Sequence, residues 1–243
     1  MSITGVARRA GDALLSLFFP PHCASCGADT ERGGHVCAGC AAKARRIEPP
    51  FCHRCSEPFE GAIEGEFQCA NCGDRELHFE CAVAPYLSRG VVREFIHRFK
   101  YDHERFLRQP LAAWLADALS DPRLQGRPID AIVPVPLHPA RLRERGFNQA
   151  MLLAELLRRR AAVPLLDALQ RTRYTTTQTR LARHERMENL RNAFRVRHSA
   201  DVQNRHLLLV DDVFTTGSTV DECARVLRLA GASSVRVATV ARG

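Results

Sequence analysis

Hydrophobic and polar positions along the chain fall into three regimes. Val6, Ala10, Leu14, Leu17 and Phe18 recur at helical spacing, which predicts a short N-terminal amphipathic helix over residues 1–20, closed by Pro20-Pro21. Residues 21–76 have no sustained apolar period and are punctuated by glycine, proline and cysteine. From residue 77 onward, apolar runs alternate with amphipathic stretches. Val91 to Phe99, Leu111 to Leu119 and Phe147 to Arg160 have helical period. Ile129 to Val135, Leu207 to Val210 and Val235 to Val240 are the short apolar runs expected of buried strands, and Thr219 to Leu229 reads as a helix that Gly231 caps. Strands alternating with helices predict an α/β unit over residues 77–243, a parallel sheet flanked by helices.

Composition narrows the class. The chain has 243 residues, 45% hydrophobic and 26% charged, enough for one large or two modest cores. A disordered tail, a collagen and a coiled coil are excluded. No apolar run approaches the roughly 20 residues that cross a bilayer. The stretch Ala13 to Phe19 is interrupted by Ser16 and followed by no small-residue cleavage site, so it is not read as a secretory signal. A helix packed on its own protein is expected there, with membrane-surface attachment as the alternative. The expected location is cytoplasmic, at the inner membrane surface in the alternative case.

Charge and cysteine divide between different parts of the chain. Residues 1–81 hold eight basic and eleven acidic residues, whereas residues 82–243 hold 27 basic and 16 acidic. Nine of the ten cysteines precede residue 82. The basic excess is almost all arginine, since Lys43 and Lys100 are the only lysines. Neither follows a glycine, so the chain has no Walker A phosphate loop and is not a P-loop ATPase.

Eight cysteines form four Cys-x-x-Cys pairs: Cys23/Cys26, Cys37/Cys40, Cys52/Cys55 and Cys69/Cys72. Two intervening residues let both thiolates of a knuckle reach one ion, and four thiolates close a tetrahedral zinc site with no position open for catalysis. Two structural zinc ions in a small Cys-rich double zinc ribbon over residues 21–76 are predicted, with sequential pairing of the knuckles preferred to interleaved pairing. Gly27 and Gly73 follow the second cysteines of their pairs, where a knuckle turn favours positive φ. A disulfide framework needs an oxidising compartment, and thioredoxin-like chemistry needs a single pair on a βαβ unit, so both fit less well. His22, His35, His53 and His78 are read as bystanders, and Cys81 and Cys223 as buried small hydrophobes.

The most informative stretch runs from Leu207 through Thr219. An apolar strand reaches Asp211-Asp212 and then passes through a hydroxyl- and glycine-bearing loop into a helix. Free N–H groups at such a helix start bind a phosphate monoester, and Gly217 permits close backbone approach. Carboxylates just upstream suit a sugar diol, so the segment is suited to a ribose phosphate. It resembles the phosphoribosyl diphosphate (PRPP) signature of type I phosphoribosyltransferases. By that resemblance Asp211 and Asp212 are the catalytic acids holding the ribose 2′- and 3′-hydroxyls. Val213, Thr215, Thr216, Gly217, Ser218 and Thr219 belong to the substrate-binding loop, with residues 215–219 cradling the 5′-phosphate.

A second segment, Val133 to Gln149, lies where that family has its pyrophosphate loop. Arg141 and Arg145 offer guanidinium forks that match a diphosphate. Its Arg145-Gly146-Phe147-Asn148-Gln149 run, with the upstream Cys-x-x-Cys pairs, resembles the ComF family of competence-associated proteins over nearly the whole chain. Phe99-Lys100-Tyr101 and the tract from Arg171 to Phe194 fit it as well. That tract falls where the family has a flexible active-site hood, and Arg173 within it is a further candidate substrate contact. Residues 141–197 contain fourteen arginines and five acids, which suits a diphosphate funnel, a nucleic-acid track or simply an arginine-rich surface. Tyr174 is an aromatic interleaved with this tract, available to stack on a base.

Three functions follow. The chain is a Mg²⁺-dependent phosphoribosyltransferase, of the glycosyltransferase class, moving ribose 5-phosphate from PRPP to a nitrogen acceptor that the sequence does not identify. Or it is a ComF-type binding protein that handles single-stranded DNA in natural transformation or DNA utilisation, with PRPP as a ligand and DNA-uptake machinery as a partner. A scaffold that keeps both motifs only for folding is disfavoured, because adjacent acids beside a phosphate loop repel one another.

Overall fold

The computed structural model describes residues 22–30, 34–63, 65–174 and 190–243. The N-terminal helix expected over residues 1–20 lies outside them, as does most of the hood tract, residues 175–189.

Five parallel strands form the sheet: β1 (Ala82–Val83), β2 (Tyr86–Leu87), β3 (Ala131–Pro134), β6 (His206–Phe214) and β7 (Ser234–Arg242). Both short strands pair with the outer edge of β7, β1 at Val237 and Ala238 and β2 at Ala241 and Arg242. Next across the sheet comes β6, then β3, with Leu165 bridging in parallel to Ile132 at the far edge. Two further strands, β4 (Leu169–Arg171) and β5 (Phe194–Val196), form a separate antiparallel ribbon. Its arms flank the hood tract, and at three residues each they are too short for the apolar pattern to reveal.

Among the described residues the α-helices are α1 (Ala38–Ala41), α2 (Ala70–Gly73), α3 (Gly90–Tyr101), α4 (Arg108–Ala116), α5 (Pro139–Arg145), α6 (Gln149–Ala161) and α7 (Ser218–Leu229). Helix α5 occupies a segment expected to be loop. His138 caps it through Nδ1, which accepts from Ala140 N at 3.2 Å, Pro139 opens it, and Gly146 ends it at φ +74°. Gly231 takes φ +94° just past α7, as its place in the sequence predicts.

Both faces of the sheet are covered, as an all-parallel sheet requires. Leu208, Val210, Ala238 and Val240 pack with Val92, Phe95 and Phe99 of α3, Leu111 and Leu115 of α4, and Leu153 and Leu157 of α6. Leu207, Leu209, Val235 and Val237 face the other way, against Val220, Ala224 and Leu227 of α7. The period-2 alternation of β6 thus divides one apolar run between two cores.

The cysteine knuckles are distributed with those cores. Cys23 and Cys40 join the first, and Cys52, Cys55, Cys69 and Cys72 the second. Hydrogen bonds to β1 tie the second ribbon down: Ala82 N donates to Arg54 O at 2.8 Å, and the wholly buried Ser56 Oγ donates to Ala82 O at 2.9 Å. The first ribbon is held by Arg98, which donates to Ala24 O, and by Ser25 Oγ donating to Glu94 at 3.0 Å. Among the described residues no helix is long and apolar enough to cross a membrane.

Candidate functional site

The metal sites come first in the chain. Sγ atoms of Cys23, Cys26, Cys37 and Cys40 lie within 4.8 Å of one another, as do those of Cys52, Cys55, Cys69 and Cys72. The pairing is sequential, as expected. Cys26 and Cys37 are 3.6 Å apart at sulfur, and so are Cys55 and Cys69. A tetrahedral ion with Zn–S bonds of about 2.3 Å separates its sulfurs by about 3.8 Å, so both sets suit structural zinc. The knuckle turns differ from expectation in one respect. Gly27 takes φ +73°, but Gly73 is helical, and in the second ribbon the residue that follows a knuckle in the left-handed region is Ser56 at φ 59°. Among the described residues no histidine joins either set: His53 Nδ1 meets Phe67 O at 2.9 Å, and His35 packs at a tilt against Phe106. Cys81 and Cys223 are buried, and burial raises both thiols, Cys81 to about 11.

The second site lies at the C-terminal end of β6. The strand does not stop at the acids; pairing with β7 continues through Asp211↔Thr239, Val213↔Ala241 and Phe214↔Arg242. Inside a strand adjacent side chains leave on opposite faces, so Asp211 and Asp212 diverge. Asp212, buried at 3% exposure, meets Lys100 Nζ of α3 at 2.7 Å through Oδ2. Asp211 is half-buried on the other side, where its charge acts on the half-buried Arg171 in β4. Asp211 Oδ1 accepts from Asp212 N at 2.9 Å. Burial, reinforced by the Asp212 charge and opposed by Lys100, pushes the Asp211 carboxyl up to about 7.

Beyond Phe214 the chain turns through Thr215, Thr216 and Gly217 into α7. Gly217 sits at φ +77°, and a Cβ there would lie 2.5 Å from Phe214 Cζ, so the turn requires glycine. Thr216 Oγ1 and Ser218 Oγ are 3.0 Å apart at the helix start, and Thr219 follows in the first turn. The loop therefore presents hydroxyls and helix N-terminal amides together, beside the two acids.

Arg141 and Arg145 lie on α5 and, with Lys100, Tyr101, His103 and Glu144, line a small cleft. Arg141 pairs with Glu144 at 3.0 Å and sits over the Tyr174 ring at 5.8 Å. Arg145 donates to Gln149 Oε1 at 2.8 Å and sits over Tyr101 at 5.3 Å. Lys100 joins the two halves of the site, since it touches Asp212 and lines the arginine cleft. Arg173 is exposed and donates to Arg191 O at 3.1 Å, across the foot of the hood tract.

Two charged residues of this region carried no role in the sequence. Lys100 had two signals, as one of two lysines in an arginine-rich chain and within the Phe99-Lys100-Tyr101 run that fits the family. Arg171 stood at the start of the hood tract, but its place beside Asp211 depends on the pairing of β4 with β5.

Comparison with known proteins agrees with the two-part organisation. Residues 14–74 match a model of the double zinc ribbon domain, and residues 143–243 match one of the phosphoribosyl transferase domain. The chain is 33% identical to competence protein F of Haemophilus influenzae over 211 residues, 85% of this chain and 90% of that one. It is 35% identical to the DNA utilization protein YhgH of Escherichia coli K12 over 209 residues, 84% of this chain and 89% of that one. Competence protein ComFC of Streptococcus pneumoniae is 28% identical over 212 residues, covering 82% and 90% respectively.

Proposed function

Because the chain belongs to the ComF family of competence and DNA-utilisation proteins, we propose that it binds PRPP or a related ribose phosphate at the end of β6 and uses this site in handling single-stranded DNA. The observation that carries the reading is the convergence of Asp211, Asp212, the 215–218 loop and the Lys100–Arg141–Arg145 cleft at one end of the sheet. In this reading the loop amides and hydroxyls take the 5′-phosphate and Asp211 accepts from a ribose hydroxyl. Asp212 takes the second hydroxyl as Lys100 turns toward the diphosphate beside Arg141 and Arg145. Arg173, at the foot of the hood, closes over the bound ligand. Asp211 and Asp212 are the acids the site offers a Mg²⁺ ion entering with PRPP, and that ion supplies charge neutralisation on the diphosphate.

The domain plan that fits is an N-terminal helix over 1–20, a double ribbon over 21–76 and the phosphoribosyltransferase unit over 77–243. The arginine excess around the cleft supports contact with a DNA backbone. Titration of a fluorescent single-stranded oligonucleotide, with and without PRPP and Mg²⁺, tests both ligands and any coupling between them. Saturable binding that responds to PRPP supports the reading; indifference to both ligands contradicts it.

The retained acid pair favours a second reading, transfer of ribose 5-phosphate to a nitrogen acceptor. Positioning and charge stabilisation of the departing diphosphate would carry that reaction. Diphosphate release across a panel of bases distinguishes turnover from binding alone.

A further inference from the structure

The second ribbon reaches the phosphate loop through one buried arginine. Arg75 lies three residues after Cys72, and its side chain is only 11% exposed. Nη1 donates to Thr216 O at 3.1 Å, and Nη2 lies 3.7 Å from Asp221 Oδ2 in the first turn of α7. Asp221 is itself fixed from three directions. Its Oδ1 accepts from His78 N at 2.8 Å, its Oδ2 lies 3.4 Å from His78 Nδ1, and its own N–H donates to Gly217 O at 2.9 Å. Residues 75–78 thus hold the Thr216 carbonyl directly and anchor the carboxylate of Asp221, whose backbone N–H closes the first turn of α7 on the Gly217 carbonyl.

A trans peptide is planar, with its C=O and N–H antiparallel. Drawing the Thr216 carbonyl outward to Arg75 therefore turns the Gly217 N–H inward, and holding the Gly217 carbonyl does the same for the Ser218 N–H. These are the two amides at the start of α7. Gly217 is also the residue with the least intrinsic preference for one orientation, so an external clamp matters most here. The clamp is not explained by the stability of the ribbon. The partners Arg75 meets among the described residues, Thr216 and Asp221, lie in the loop and the first turn of α7 and not in the ribbon.

We infer that Arg75 is a positioning residue of the ribose-phosphate site, through which the second zinc ribbon sets the orientation of the phosphate-loop amides. The inference rests on the PRPP reading above. It makes the ribbon part of the ligand site and not only an appended module.

The test is calorimetric titration of PRPP with Mg²⁺ into the full-length protein and its Arg75→Ala and Arg75→Lys variants, with zinc content measured on each sample. Arg75→Ala should weaken PRPP about tenfold, the scale of one charge-assisted hydrogen bond, with two zinc ions per chain retained. Arg75→Lys keeps the charge and one donor and should recover part of that loss. The ¹⁵N resonances of Gly217 and Ser218, which move on PRPP addition in the unmodified protein, should respond less in Arg75→Ala. PRPP affinity within twofold of the unmodified protein in both variants overturns the inference. Loss of zinc from Arg75→Lys also overturns it, because the residue would then be holding the ribbon. Absence of PRPP binding to the unmodified protein is a different result, and it sinks the PRPP reading itself.

Discussion

Lys100 Nζ lies 2.7 Å from Asp212 Oδ2, and this ion pair joins helix α3 to the end of β6. The side chains are 19% and 4% exposed, so the ammonium stabilises a carboxylate that has almost no water. Removing one partner strands the other charge in the interior. Lys100→Met should therefore destabilise the fold by about 3 kcal/mol. Urea denaturation checks this, and the Lys100→Met/Asp212→Asn double variant should regain part of the loss. A fully additive pair of losses would show that the two side chains do not interact.

Asp211 supplies a pH dependence. Its folded-state carboxyl is raised to about 7, above the ordinary carboxylate range, so the folded protein retains a proton that the unfolded chain has released. The stability this group contributes is fully present below about pH 4 and lost as pH rises through about 7. Ligand binding runs the other way, since an ionised Asp211 is the better acceptor for a ribose hydroxyl and for Mg²⁺. PRPP affinity should rise between about pH 6 and about pH 8, and Asp211→Asn should remove the part of that rise beyond the titration of PRPP itself. Identical pH profiles for the two proteins would contradict the assignment.

Gly217 should tolerate no side chain. Its φ is +77°, and a β-carbon placed there would meet Phe214 Cζ at 2.5 Å, so Gly217→Ala combines backbone strain with a clash. A loss of about 2 kcal/mol is expected from thermal or chemical unfolding, together with weakened PRPP binding. A neutral outcome in both would mean that the turn relaxes and that its geometry does not define the phosphate site.

The two zinc sites should differ in lability. Cys26 is exposed and Cys37 half-buried, whereas all four cysteines of the second set are buried beneath the sheet core. Chelator-driven release should be biphasic, with the faster phase abolished by Cys26→Ser. Cys55→Ser should lower the melting temperature more than Cys26→Ser, because its set belongs to the core shared with α7. One uniform release phase would contradict the difference in burial.

If the arginine cleft carries nucleic acid, salt sensitivity should follow. Arg141→Ala/Arg145→Ala should reduce the slope of log K against log salt for a single strand by about 1.4, at about 0.7 per phosphate contact. An unchanged slope would place the DNA contacts elsewhere.

What the sequence disclosed depended on how local each signal was. The knuckles, β6, β7 and α7 were legible because spacing and apolar runs are properties of neighbouring residues. The full length of β6 was not, because Asp211 and Asp212 look like a strand end and only pairing with Thr239 to Arg242 of β7 carries the strand past them. Helix α5 had its signals in view, Pro139 at the start and Gly146 at the end, but they lay inside a segment read by its resemblance to a loop. Strands β1 and β2, two residues each, form by pairing with β7, and β2 also bridges to Arg46, so neither carries an apolar pattern of its own. The same holds for chemistry. Asp211 and the 215–219 loop sit in one continuous motif, while Lys100, Arg171 and Arg75 reach the site from distant elements that tertiary packing alone brings close.

The PRPP chemistry proposed for this chain depends on the β6 acids and the loop before α7 forming one ribose-phosphate site. Calorimetric titration of PRPP with Mg²⁺ into the intact protein and into Asp211→Asn/Asp212→Asn is the decisive comparison. Saturable binding with one site per chain is expected, lost in the double variant while both zinc ions and the folded state are retained. Equal PRPP affinity in the two proteins, or none in the intact one, would contradict a ribose-phosphate site at this end of the sheet.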